Sequence, residues 1–380
     1  MSPEPHHLDH IKSFIAMEVF ARAQELEAQG REIIHLEFGE PDFPAPDVAT
    51  EALQESLAAH PARYTHTQGT QALREAICRK YARDYGVSIQ PEQVLVSTGS
   101  SLLLFLAIRT LAPPGSEMLV TAPCYACYEN LMHLAGVRPV RVPLRLENGF
   151  QLDPEDLRRA MGPNTRGMIL NSPMNPTGVT FRPEVLQAIA ELGLPVISDE
   201  IYADLSYGGR SQSFLEFAPE AIALNGFSKY YAMTGWRLGY LIMPPRLMSV
   251  AARTHQSMMI SATHFVQDAG VRVLDEAGPQ CEEMKTEFNR RRQFLLQTLR
   301  EIGRDPGYEP DGAFYLMLQI PQPGLSSEEF SLQALEQAGV AMTPGADFGP
   351  GGEGFVRFSY ANSQERLGRA VRQLVEAKLL

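Results

Sequence analysis

Five short runs in the middle of the chain are apolar at every position rather than at alternate ones: Val94-Leu95-Val96, Met118-Leu119-Val120, Met168-Ile169-Leu170, Val196-Ile197 and Ala221-Ile222-Ala223-Leu224. Alternation would mark a strand with one wet face. Unbroken apolar runs mark strands covered on both faces, as in a parallel sheet. Helical stretches such as Pro183 to Leu192 lie between them. Strand–helix alternation predicts an α/β fold, a mostly parallel sheet covered by helices on both faces.

The two ends carry a different pattern. Residues 13 to 29 predict an amphipathic helix that starts at Ser13 as N-cap and stops at Gly30. Residues 281 to 302 predict a long charged helix with Phe288, Leu295, Leu299 and Ile302 on one side and Gly303 after its end. Then follow a strand from Phe314 to Ile320, a helix near 326 to 338 and a strand from Phe355 to Tyr360. A last helix carries Leu367, Ala370, Val371 and Leu374 at i, i+3, i+4, i+7. The expected organisation is a large α/β domain over residues 45–280 and a small α+β domain built from both termini, residues 1–44 and 281–380.

Length and composition agree with two packed domains. The chain has 380 residues, 44% hydrophobic and 21% charged, which is an ordinary globular balance. The formal charge of −12 repels phosphate backbones and argues against nucleic acid as a partner. An anionic substrate would therefore need individual arginines. The longest apolar run, Leu102 to Ile108, is far too short to span a bilayer, so no membrane partner is expected. The N-terminus reads MSPEPHHLDH, with no basic segment leading into an apolar run. Four cysteines do not make a disulfide framework, and a reducing cytoplasm is the expected compartment. Cys124-Tyr125-Ala126-Cys127 has redox or zinc spacing, but no second pair completes a tetrahedral set. His6, His7 and His10 read as a solvated tail. No metal is expected.

The densest chemical signal is Gly226 to Tyr240, GFSKYYAMTGWRLGY. Lys229 follows a buried-type strand, where desolvation lowers an amine's pKa and makes it nucleophilic toward a carbonyl. Taken alone it reads as a loop lysine. Ser228 and Arg237 could both bind one anionic group, and Arg suits phosphate through its fork of donors. Asp199, in Ser198-Asp199-Glu200-Ile201-Tyr202, ends another buried strand, where ligands of open α/β sheets sit. It reads either as a helix cap or as a charge partner. Asn175-Pro176-Thr177-Gly178 is a turn by its Pro and Gly. Thr98-Gly99-Ser100-Ser101 leaves a strand and opens a helix, a phosphate cradle or a plain N-cap.

In their order and spacing these pieces resemble the fold-type I aminotransferases, specifically the class I/II, aspartate aminotransferase-like family. Gly39-Glu40-Pro41-Asp42-Phe43, Tyr64 with Gln68-Gly69, Pro123-Cys124-Tyr125 and Val356-Arg357-Phe358-Ser359 complete the match, which runs from about Ile33 to the C-terminal helix. The resemblance implies pyridoxal 5′-phosphate as cofactor, held as a Schiff base on Lys229, whose freed amine then shuttles the α-proton. It implies Asp199 beside the pyridine nitrogen, Asn175 and Tyr202 on the phenolic oxygen, and Tyr125 stacked on the ring. Ser100, Ser101, Ser228 and Arg237 would hold the phosphate, with Tyr64 reaching it from the second subunit of a homodimer with shared sites. Arg357 would grip the substrate α-carboxylate, and Gly39 would leave room for it.

The reaction so implied moves an amino group between an amino acid and a 2-oxo acid. Other reactions on the same scaffold, such as carbon–sulfur lysis or decarboxylation, use the same lysine, aspartate and arginine. A non-catalytic ligand-binding module is the rival from another class. Aspartate-specific prokaryotic relatives carry a lysine at the position of Ser101 and small hydroxyl residues where Phe14, Ile15 and Ala16 align. Their absence predicts neutral, apolar or aromatic donors, with 2-oxoglutarate open as acceptor.

Overall fold

The computed structural model describes residues 11–59 and 61–380, so the tail histidines His6, His7 and His10 lie outside the described residues. Among the described residues twelve strands run in chain order: β1 Ile34–His35, β2 Val94–Ser97, β3 Glu117–Ala122, β4 Arg138–Pro143, β5 Thr165–Asn171, β6 Val196–Asp199, β7 Ile222–Gly226, β8 Gly239–Ile242, β9 Tyr315–Gln319, β10 Val340–Ala341, β11 Thr343–Pro344 and β12 Phe355–Ser359.

Seven of them form one sheet in the order β2-β8-β7-β6-β5-β3-β4. The pairings β3/β4, β3/β5, β5/β6 and β6/β7 are parallel, and β8 runs antiparallel to both its neighbours. The unbroken apolar runs have the predicted cause. Val96, Leu119, Met168, Leu170, Val196 and Ala223 pack into one core, while Leu95, Met118, Val120, Ile169, Ile197 and Leu224 pack into another. Successive side chains point to opposite faces of a strand, so both faces are dry.

The terminal segments build two smaller sheets, an antiparallel β11-β12-β9 and a parallel pair β1-β10. In the first, Arg357 lies opposite Met317 and Ser359 opposite Tyr315. Arg357 and Tyr315 are therefore diagonal neighbours on one face.

The predicted helices form with shifted ends. The long charged helix starts earlier than expected, at Gly278, with Pro279 in its first turn, where its missing N–H costs nothing. The first helix, α1, runs Ile15–Ala28 with Phe14 rather than Ser13 at the cap. The Ser13 hydroxyl bonds Glu18 instead, and the Ile15 N–H donates to Asp347 Oδ1 at 2.7 Å. A distant carboxylate thus replaces the local cap. Among the described residues, no helix is long and apolar enough to cross a membrane.

Candidate active site

The ends of β5, β6 and β7 point into a cavity of about 390 Å³ between the large sheet and the β9–β12 segments. Carboxyl ends of parallel strands are where open α/β sheets bind ligands. Gly39, Ser100, Ser101, Tyr125, Asn175, Asp199, Tyr202, Ser228, Lys229, Arg237 and Arg357 all line it. Tyr64 does not. It stands 81% exposed on the outer surface.

Lys229 leaves the segment after β7, and its Nζ donates to the Gly39 carbonyl at 2.5 Å. Burial, the largest cause, lowers its pKa to about 8, and Arg357 and Arg237 push the same way against Glu40 and Asp199. A charged amine in a dry site loses hydration that the neutral form does not need. Asp199 ends β6 and is 6% exposed. Burial raises its pKa to about 6, opposed by the Tyr128 hydroxyl, the Ile201 N–H and the Lys229 charge. Its two oxygens divide the two readings taken from sequence. Oδ1 accepts the Ile201 N–H at 3.2 Å, closing a local turn, and Oδ2 accepts the Tyr128 hydroxyl at 2.7 Å on the cavity side. No helix follows residue 199 to be capped.

At one end of the cavity the helix Ser100–Leu111 presents its N-terminus, capped by Gly99 at φ 81°. Its φ favours glycine, and the Arg237 guanidinium packs where a side chain would stand. Arg237 itself sits at φ 55° and is tied to the Thr234 carbonyl at 3.1 Å. A strained backbone that aims a guanidinium at free helix N–H groups suits a bound dianion.

At the other end Arg357 is only 5% exposed. Its Nη1 donates to Asn175 Oδ1 at 2.9 Å, and its Nη2 to the Glu37 carbonyl at 2.5 Å and Thr343 Oγ1 at 3.1 Å. Its buried Nε has no partner, an orphaned donor that a carboxylate would satisfy. Gly39 lines the same cavity, and the Tyr315 hydroxyl stands where its side chain would be.

Sequence reasoning missed Tyr128, Tyr315 and Asp347, which all line the cavity. Tyr128 lies three residues after Tyr125, and its N–H donates to the Tyr125 carbonyl at 3.0 Å in the turn that opens the helix Cys127–Leu134. Tyr125 stands edge-on to Tyr128, ring centroids 5.5 Å apart. Asp347 and Tyr315 have no local signal. The Cys124 and Cys127 thiols are free, and burial holds both above the usual thiol pKa. Thiolate chemistry is suppressed in such surroundings.

A nucleophilic amine and a buried carboxylate beside an anion cradle, on a mostly parallel sheet, define a pyridoxal-phosphate enzyme of fold type I. The profile of the family aminotransferase class I and II matches residues 31–374. An aspartate aminotransferase of Pyrococcus horikoshii is 37% identical over 375 residues, 97% of this chain and 95% of that one. Aromatic-amino-acid aminotransferase 2 of Thermococcus litoralis is 36% identical, covering 91% and 92% of the two chains. The solved aspartate aminotransferase of Thermus thermophilus with maleate superposes with a TM-score of 0.93 at 34% identity, covering 99% of this chain and 100% of that one. The chain belongs to the class I and II aminotransferases. It is a transaminase acting on amino acids with pyridoxal 5′-phosphate as cofactor, and lysis or decarboxylation is not favoured.

Proposed function

We propose that this aminotransferase takes neutral, apolar or aromatic amino acids as donors, bound in a homodimer whose subunits share sites. One observation carries the donor reading. Only three cations, Lys229, Arg237 and Arg357, are among the described residues lining the cavity, and each has a place at the amine, the anion cradle or the α-carboxylate. The wall left for a substrate side chain is Phe14, Ala16, Met17 and Phe38, with the Asp347 carboxylate beside it. A second substrate carboxylate buried there without a partner would cost several kcal/mol. An apolar side chain would instead gain about 1.5–3 kcal/mol.

In this reading each residue acts at a stated place. When bound, the cofactor supplies a carbonyl for the amino group and an electron-withdrawing protonated ring. Lys229 Nζ would hold it and would then carry the proton removed from the substrate Cα. Asp199 would keep the ring nitrogen protonated through its negative charge. Asn175 and Tyr202 would offer hydrogen bonds to the phenolic oxygen, and Tyr125 would cover one ring face. Ser100, Ser101, Ser228 and Arg237 would hold the phosphate. Arg357 orients the donor through its carboxylate, and the apolar wall excludes water.

A half-reaction screen tests the donor class. Each amino acid is mixed with the holoenzyme, and conversion of the bound cofactor is followed by absorbance. Phenylalanine, leucine or methionine is expected to exceed aspartate in kcat/KM by about tenfold or more, because even one poorly placed charge is worth that much. Aspartate as the best donor would refute the pocket reading and leave the transaminase intact. In the same screen Arg357→Lys should impair amino acids far more than amines lacking the carboxylate, since lysine cannot offer the bidentate fork. Equal losses for both would remove the role from Arg357.

The dimer reading rests on the outer surface. The Thr65 N–H donates to Ser261 Oγ at 3.3 Å, and the chain neighbours of that pair, Tyr64 and Ile260, are 81% and 48% exposed. Large apolar side chains left bare together mark a surface meant to be covered. Sedimentation at assay concentrations should give about twice the 42.1 kDa of one chain. A fully active species of single-chain mass would exclude shared sites.

A further inference from the structure

Arg357 and Tyr202 belong to different parts of the fold, one on β12 and the other just past β6, yet one fully buried side chain touches both. The Tyr315 ring on β9 lies 4.4 Å from the Arg357 guanidinium carbon, and its hydroxyl is 2.7 Å from that of Tyr202. The two tyrosine rings meet edge to face, 5.6 Å apart. Register explains the reach, because Tyr315 and Arg357 are diagonal neighbours across β9 and β12. The neighbouring chain is shaped around this ring. A side chain at Gly39 would strike its hydroxyl, and one at Gly178 would strike its carbonyl.

We infer that Tyr315 is a positioning residue that ties the substrate-carboxylate grip to the cofactor-facing hydroxyl: its ring backs Arg357 and its hydroxyl donates to Tyr202. The inference rests on the reading that Tyr202 faces the cofactor. Valence gives the direction of the bond. A phenol has one proton, and burial keeps both Tyr202 and Tyr315 in the phenol form. If Tyr202 spends its proton on the cofactor's ring oxygen, the proton between the two tyrosines belongs to Tyr315. A hydroxyl that accepts one hydrogen bond donates a stronger one. The guanidinium, for its part, gains a π face on one side. It is thereby held flat for a two-pronged contact while its Nη1 and Nη2 stay bonded to Asn175, Glu37 and Thr343.

Two substitutions separate these effects. Tyr315→Phe keeps the ring on Arg357 and removes the donor. Tyr315→Met fills the space and removes the ring face; Tyr315→Leu replaces it if the methionine variant does not fold. The readouts are the pH midpoint of the holoenzyme's visible absorbance and the dissociation constant of a simple carboxylate, 3-phenylpropionate. The more basic form carries more negative charge on the ring oxygen, so losing the donor disfavours it. In Tyr315→Phe the midpoint should rise by roughly 0.1–0.5 pH unit, the 10–30% strengthening that one hydrogen bond lends the next along a chain to a charged acceptor, with carboxylate binding unchanged within about twofold. In Tyr315→Met the carboxylate should bind about tenfold more weakly, about 1.4 kcal/mol. A merely structural tyrosine would move neither readout selectively. An unchanged or lowered midpoint in Tyr315→Phe overturns the hydroxyl relay. Carboxylate binding in Tyr315→Met equal to that in Tyr315→Phe overturns the guanidinium contact. A parent holoenzyme whose absorbance does not titrate would overturn the underlying assignment along with the inference.

Discussion

Replacing Lys229 by alanine should lower transamination by on the order of 10⁴ or more, because it removes the covalent anchor and the proton carrier together. Borohydride treatment of the parent holoenzyme should fix the cofactor on a peptide containing Lys229. Labelling of another lysine would end this mechanism. The pKa of about 8 adds a prediction for the apoprotein. A depressed lysine pKa means that the neutral, nucleophilic amine becomes the major form above pH 8 rather than above the ordinary 10.5. The second-order rate of cofactor attachment should therefore climb with pH up to about 8 and then level off. A rate still climbing steeply at pH 10 would show that burial does not discharge the amine.

The Asp199→Asn variant should fold and yet lose roughly 10²–10³ in rate, the usual worth of one preorganised electrostatic partner. Asparagine can still accept the Ile201 N–H at its Oδ1, and its Nδ2, in the place of Oδ2, can donate to the Tyr128 hydroxyl oxygen, so the local turn survives. What disappears is the negative charge. That charge is a burden to the apoprotein. A carboxyl raised from 3.8 to about 6 by burial costs on the order of 3 kcal/mol of stability at neutral pH. The sign follows from linkage: the folded form holds its proton longer, so stability falls as pH rises from about 4 to about 6 and is flat above. Apo Asp199→Asn should therefore unfold at higher temperature than the parent at pH 7.5, and the gap should close toward pH 4. A variant less stable at pH 7.5 with a near-normal rate would assign Asp199 to the turn alone.

Much of this molecule was legible in its residues, and the division has a physical basis. The unbroken apolar runs determine strands with two dry faces, because alternate side chains must each find a core. The Ser228-Lys229 pair, Asp199 and Gly99-Ser100 were readable because each lies within a few residues of a strand end that local pattern defines. Tertiary structure alone decided what lies across chain breaks. The cap of α1 was misjudged at Ser13 because the acceptor that the helix uses, Asp347, is more than three hundred residues away. At Gly39 the space that a side chain would take holds the Tyr315 hydroxyl, which comes from a strand far along the chain. Arg357 was named from its motif, but Asn175, Thr343 and the Glu37 carbonyl that hold it come from three separate segments. Hydrophobic period and turn chemistry act over a few residues and leave a trace in the linear sequence. A hydrogen bond between side chains brought together by strand order leaves none, and most of the polar geometry of this site is of that second kind.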